Sequence, residues 1–255
     1  MSYQLISNIQ IKHFRSLHQQ KFRKEQQQYL VEGVKNVEEW ILEGADIEYV
    51  IAIKEWFDAY PHLLKEIDAD KCLLISEKDL PRLSGMKNPN QVVLVVNITQ
   101  SKKLSEIKSS NWSLMLDRVQ DPGNLGTIIR TADWFGIENI ICSNDTAEQY
   151  NPKVIQATMG SLLRVNCFYT DLPEFLKQNS NIPVYAALLD GSPLMEYNSF
   201  SPGLIVMGNE SKGISEEVKA LVQHRLFIPR IGKAESLNVA VATGIFCNAL
   251  ISKNS

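Results

Sequence analysis

The chain has 255 residues, 44% hydrophobic and 22% charged, which fits a globular protein of one or two domains and excludes a disordered, collagenous or coiled-coil chain. Its longest apolar runs, such as Val92 to Val96, fall short of the roughly 20 residues a membrane helix needs. Met1 to Leu5 shows no basic segment leading into an apolar one, so no secretory leader and no membrane association are expected and the default compartment is the cytoplasm. The formal net charge of −3 is uneven: residues 1–35 hold six Lys and Arg against two Glu, a local +4 that leaves −7 elsewhere. Such an arm suits either neutralisation of phosphates or a solvated helix face.

Residues 1–97 read as a small αβ domain. Ile6, Ile9 or Gln10, His13, Phe14 and Leu17 recur at helical spacing, predicting an amphipathic helix near 7–20 with its basic groups outward. Lys12, Arg15, Arg23 and Lys24 are the candidate phosphate contacts of this arm. Tyr29 to Val31 reads as a short strand. Val34, Val37, Trp40 and Ile41 repeat the helical period, and Gly44 is a natural stop. Runs at 49–53, 71–75 and 91–96 read as strands between helical stretches. Residues 98–110 are polar and weakly patterned, and serve as a linker with a helical turn near Leu104 to Ile107.

In residues 111–255, apolar runs at 113–116, 139–142, 164–168, 184–188, 204–207 and 226–228 alternate with helical segments. That alternation predicts an α/β fold with a mostly parallel sheet covered on both faces. Ligands of such sheets bind beyond the carboxyl ends of the strands, so the segments following strands are where chemistry is expected. Cys72, Cys142, Cys167 and Cys247 form no C-x-x-C pair and no zinc spacing with His13, His18, His62 or His224. Buried reduced thiols and no metal site are expected.

Three such segments stand out. In the first, Asp121-Pro122-Gly123 is turn chemistry and Asn124 suits the N-cap of a helix whose buried stripe is Leu125, Ile128, Ile129, Ala132 and Phe135. Arg130 is rotated about 140° from Leu125 and faces away from that core, as a plain surface residue or as a functional one. In the second, Met207-Gly208-Asn209-Glu210 ends an apolar strand in a glycine that lets a ligand approach the backbone. Ser215 with Glu216 and Glu217 then opens a helix. In the third, a strand stops at Pro229 and a helix begins near Ser236, which serves as its N-cap or as a site residue. Neither G-x-G-x-x-G nor a Walker lysine occurs, which weakens a Rossmann oxidoreductase or a P-loop enzyme.

Taken in order, N-x5-R after a D-P-G-N turn, G-N-E-x-x-G after a strand, and I-P-x-x-G-x-x-E-S-L-N-V near the C-terminus resemble the three motifs of the SpoU (TrmH-like) RNA ribose methyltransferases of the SPOUT superfamily. The resemblance spans about residues 106–255, and Tyr29-Leu30-Val31-Glu32-Gly33 is similar to part of the ribosomal-protein-like RNA-binding domain that many members carry. It implies a SPOUT α/β domain over 111–255 with a deep trefoil knot, and a homodimer. It also implies methylation of a ribose 2′-hydroxyl by S-adenosyl-L-methionine, on rRNA more than on tRNA. Met207, Gly208, Ile228 and Leu237 fall on the cofactor positions, and Arg130, Asn124, Glu210, Ser236 and Asn238 on the catalytic set. Arg230, where many members have methionine, extends the RNA surface. Arg130 is expected to grip a phosphate or the developing alkoxide, held by Asn124, with the phosphate, Glu210 or water taking the proton. The rival reading is a non-catalytic RNA-binding assembly factor with the same fold.

Overall fold

The computed structural model describes residues 3–99, 104, 110–196 and 200–251, so most of the expected linker and its helical turn lie outside the described residues. The chain forms two compact units: residues 1–100 with 150–163, and residues 101–149 with 164–255. The stretch 150–163, which sequence reading placed in the second domain, groups with the first unit.

The first unit contains β1 (Gln4–Leu5), α1 (Asn8–Ser16), α2 (Gln20–Gln26), β2 (Gln28–Glu32), α3 (Val34–Leu42), β3 (Ile47–Ala52), α4 (Lys54–Ala59), β4 (Cys72–Leu74), α5 (Leu80–Leu83) and β5 (Val92–Asn97). Its sheet has the order β1-β4-β3-β5-β2, with β4 parallel to β1 and β3, and β5 antiparallel to β2 and β3. Gly44 ends α3 in the left-handed conformation, its amide on Ile41 O, as its place in the sequence predicts.

The N-terminal arm is two helices where one was expected. Ser7 caps α1 reciprocally with Gln10, which fixes the helix start. With that start the core face carries Ile11 and Phe14, followed by Leu17, while Ile9 is 81% exposed. The chain turns between Ser16 and Gln20, leaving carbonyls of the first helix end without helical partners. Arg23 of α2 fills that need: its Nη1 donates to Leu17 O at 2.8 Å and His18 O at 2.9 Å, and the residue is 2% exposed. Arg23 is therefore a buried structural clamp and not an RNA contact, because its donors are spent inside the fold.

The second unit contains β6 (Ser113–Asp117), α6 (Pro122–Trp134), β7 (Asn139–Ser143), then, after α7 (Pro152–Thr158) of the first unit, β8 (Asn166–Thr170), α8 (Leu172–Gln178), β9 (Val184–Pro193), β10 (Leu204–Gly208), α9 (Glu216–Lys219), β11 (His224–Phe227) and α10 (Val239–Ile251). All pairings of its six-stranded sheet, order β11-β9-β10-β6-β7-β8, are parallel. Continuous apolar strands and the faces of α8 and α9 meet in a core of Met115, Ile141, Phe175, Val184, Val206 and Val218. On another side α10 packs against α6 and β10.

Parallel order brings the loops after β6, β9, β10 and β11 to one edge. One of them departs from regular pairing. Arg225 pairs with Ala186 but Leu226 pairs with Ser192, so residues 187–191 are extruded from the β9–β11 ladder. Gly191 makes the re-entry possible, since a Cβ there would lie 2.2 Å from Arg225 O and 2.6 Å from Leu226 N.

All four cysteines are free and buried. No helix among the described residues is long and apolar enough to cross a membrane, and no group of three or more His, Cys, Asp or Glu among them could hold a metal ion.

The two roles assigned to neighbouring basic residues separate in one experiment. Arg23→Met is expected to cost about 2–4 kcal/mol by stranding the carbonyls of Leu17 and His18, whereas Lys24→Ala stays within about 0.5 kcal/mol. Urea denaturation reads the difference; equal midpoints for the two variants contradict the clamp.

Candidate active site at the carboxyl ends of the parallel strands

The three segments singled out in the sequence converge on this edge. Asp121, not Asn124, caps α6, its Oδ1 accepting from Asn124 N at 2.8 Å. The side chain of Asn124, inside the first turn, is thereby released for other work. Its Nδ2 donates to Glu210 Oε1 at 2.8 Å, and its Oδ1 accepts from Asn238 Nδ2 at 2.9 Å. These two bonds join positions 86 and 114 residues apart.

The polarity of this relay is fixed from one end. Asn238 caps α10: its Oδ1 accepts from Ala240 N at 2.9 Å and Val241 N at 3.2 Å. Its amide nitrogen must then face Asn124, which presents oxygen and is left with nitrogen for Glu210. The carboxylate of Glu210 sits at the accepting end. Ser236, two residues before the cap, does not cap the helix; α10 begins only at Val239.

The loop carrying Glu210 is built by its neighbours. Asn209 exchanges both backbone bonds with Gly213, accepts from the amides of Ser211 and Lys212 on Oδ1, and donates from Nδ2 to Arg118 O at 2.7 Å. A Cβ on Gly208 would lie 2.4 Å from Gly213 C and 2.5 Å from Ile214 N. The space freed by this glycine is thus taken by the returning loop, where the sequence suggested a ligand. At the far end Ser215 donates from both N and Oγ to Asp117 Oδ2, each at 2.6 Å. Asp117 is 3% exposed, with Arg118 Nε 3.1 Å from its other oxygen. Arg118 itself is left-handed (φ 60°), pinned through its amide to Ser143 Oγ and its carbonyl to Asn209.

Beside the relay lies a cavity of about 430 Å³. Leu188 and Leu189 from the extruded segment, Met207, Ile214, Ile228, Leu237 and Phe246 give it apolar walls, and Glu210, Glu235, Ser236 and Arg230 stand among its lining. Its size lies in the range of small-molecule sites and its mix of apolar wall and few polar groups suits a nucleoside. Arg230 is exposed and turned back on its own loop, Nη1 donating to Ala234 O at 3.2 Å.

Of the residues expected here, Met207, Gly208, Glu210, Ile228, Arg230, Ser236 and Leu237 line the cavity, and Asn124 and Asn238 reach its edge through Glu210. Arg130 does not join them. It is exposed on α6, is no part of the cavity lining, and has no hydrogen-bond partner among the described residues. Asn124 does not hold it, because the amide is committed to Glu210 and Asn238. Sequence reading missed four contributors. Asn209 stands inside the second segment and Asp117 directly follows the apolar run 113–116, where an acid closing a strand was the available signal. Leu188 and Leu189 carried none, since their place depends on a break in strand pairing.

Comparison with known proteins agrees with this arrangement. The model of the SpoU rRNA Methylase family matches residues 111–248, and that of an MRM3-like substrate binding domain matches residues 8–94. The chain is 31% identical over 241 residues to the 23S rRNA (guanosine(2553)-2′-O)-methyltransferase RlmP of Bacillus subtilis, covering 93% of this chain and 94% of that protein. The structure of the AdoMet-bound rRNA methyltransferase of Sinorhizobium meliloti superposes with a TM-score of 0.84 at 29% identity, covering 97% of this chain and 95% of that one. An RNA 2′-O ribose methyltransferase structure at 24% identity shares the fold, with a TM-score of 0.84 over 100% of this chain and 99% of that one. With a cavity ringed by the three motifs and a family model spanning them, the chain belongs to the SpoU rRNA methylase family.

Proposed function

We propose that this chain methylates a ribose 2′-hydroxyl of ribosomal RNA with S-adenosyl-L-methionine. The observation that carries the reading is the Asn238–Asn124–Glu210 relay, which gathers three distant motifs beside a nucleoside-sized cavity. Names of relatives support the substrate: the Bacillus subtilis protein acts on 23S rRNA, and the Sinorhizobium meliloti structure has AdoMet bound.

When bound, S-adenosylmethionine supplies a methyl group on a positively charged sulfonium. The residues present fit that group. Apolar Met207, Ile228 and Leu237 suit an adenine ring, and the Glu210 and Glu235 carboxylates at the lining suit a cation. The relay keeps Glu210 at the cavity edge, where its carboxylate, the substrate phosphate or a water accepts the hydroxyl proton. Arg130, permanently protonated, is a poor base and a good ligand for the phosphate or the developing alkoxide.

Since Arg130 lies outside the lining of this chain's own cavity, we read it as serving the cavity of a second copy of the chain. Trp134 lies one turn beyond it on α6 and is 86% exposed, and Val241 on α10 is 51% exposed. A homodimer packed on α6 and α10 covers both and brings the partner's Arg130 to the site. We also read the C-terminal segment as a deep trefoil knot, on the strength of the chain's match to the SpoU family. In this reading residues 1–97 bind RNA, 98–110 connect, and 111–255 carry the chemistry. Lys12, Arg15, Lys24 and Arg230 serve as RNA contacts. The four free thiols suit a reducing cytoplasm.

Three measurements test the proposal. Mapping 2′-O-methyl groups in a strain lacking the protein is expected to show one rRNA mark lost; loss of a tRNA mark moves the substrate, and no loss ends the reading. Asn124→Asp can still accept from Asn238 but cannot donate to Glu210, so calorimetry is expected to show S-adenosylmethionine affinity down by about tenfold; wild-type affinity removes the relay from the site. Arg130→Lys keeps charge without the planar fork, and turnover is expected to fall at least ~100-fold at unchanged cofactor affinity.

A further inference from the structure

A second cleft, of about 460 Å³, lies wholly in the first unit. Lys12, Arg15, Ser16, His18 and Gln19 line it together with Ser84 and Gly85, and no carboxylate is among them. Lys12 and Arg15 stand three residues apart on α1, one turn above the other on the same face. Lys12 has no hydrogen-bond or ion-pair partner among the described residues. Arg15 spends one donor, Nη1, on Arg82 O at 3.1 Å, which sets its guanidinium across from the end of α5. The remaining guanidinium donors stay available for an oxyanion.

The far wall is rigid. His18 Nε2 meets Leu83 O at 2.9 Å, so that nitrogen donates and the ring is held in place. A Cβ on Gly85 would lie 2.7 Å from His18 Cε1, so the imidazole rests directly on the backbone of a glycine. The 84–85 turn is tied from below by buried Glu32, which accepts from Gly85 N at 3.1 Å and from Ser84 Oγ. The imidazole also walls a neighbouring cleft of about 340 Å³, in the same unit, where Lys153, Asn151 and Gln156 stand with the Glu32 carboxylate and with apolar Leu30, Met86 and Ile155. A planar, fixed ring thus borders two clefts: the first has Lys12 and Arg15 and no carboxylate, and the second has both Lys153 and Glu32. That pattern complements a flexible chain of alternating phosphates and flat bases. A rigid duplex, with its bases turned inward, has nothing to offer the ring.

We propose that the His18 cleft binds an unpaired nucleotide of the RNA substrate, its two flanking phosphates on Lys12 and Arg15 and its base against the imidazole. This inference rests on the RNA reading above but not on methyl transfer. It assigns substrate selection to single-stranded segments, read by the first unit, before chemistry at the second.

The test uses the full chain without cofactor, an unstructured oligoribonucleotide of about a dozen residues, and a duplex of the same length. Wild type is expected to prefer the single strand. Lys12→Glu with Arg15→Glu is expected to weaken it at least tenfold and to reduce the salt slope of log affinity by about 1.4, the value for two single-strand phosphates. His18→Ala is expected to lose about fivefold or more at an unchanged slope. S-adenosylmethionine affinity stays at wild type, and an unchanged urea-denaturation midpoint, measured in parallel, shows that the first unit is intact. Lys12→Glu alone touches no partner and serves where the others fail to fold; it is expected to lower the slope by about 0.7. Wild-type affinity in the Lys12→Glu and His18→Ala variants overturns the proposal. So does equal loss on duplex and single strand, which marks shape recognition, and so does failure of the wild type to bind either RNA, which leaves a protein partner for the cleft. Loss of cofactor binding in the wild type would instead sink the methyltransferase reading and leave this one standing.

Discussion

The site depends on the orientation of one amide. Asn124 receives a hydrogen bond from the third motif and gives one to the second while riding on the helix of the first. Its direction is not free, because the N-terminus of α10 demands the oxygen of Asn238 and so dictates every donor and acceptor upstream. Helix capping, ordinarily a matter of local stability, here sets the state of the carboxylate at the cavity edge. A site assembled from three loops gains in this way the precision of a site built on a helix.

Two close approaches of backbone to backbone make the surrounding loops possible. Gly208 lets residues 213–214 fold back over the end of β10, and Gly191 lets β9 resume beside β11 after releasing five residues to the cavity wall. In both places the neighbour is main chain, which cannot swing aside as a long side chain can. The glycine after β10 lines the cavity as its place in the sequence suggested, and its missing Cβ leaves room for the returning loop.

The architecture was legible because it follows from periodicity. Buried parallel strands must be apolar throughout, and the runs at 113–116, 139–142 and 204–207 fall within the strands observed. The resemblance of the three motifs to the family likewise implied one site for Met207, Glu210, Ile228 and Leu237, and all four line the cavity. What stayed hidden depends on partners remote in sequence. Arg23 looks like any cation in a basic arm until a helix break two turns upstream supplies carbonyls to absorb it. Asn124 looks like a cap until Asp121 takes that duty. Ile9 reads as core until Ser7 sets where the helix begins.

The Asp117 clasp makes the two flanks of the cavity unequal. The loop bearing Glu210 is moored at its start by Asn209 and at its finish by two short bonds from Ser215 to a carboxylate shut off from water. Residues 231–237 are instead exposed throughout. Of the two flanks of the cavity, the exposed stretch is thus the one least held by the rest of the fold, and the Asp117 side is the one built not to give way.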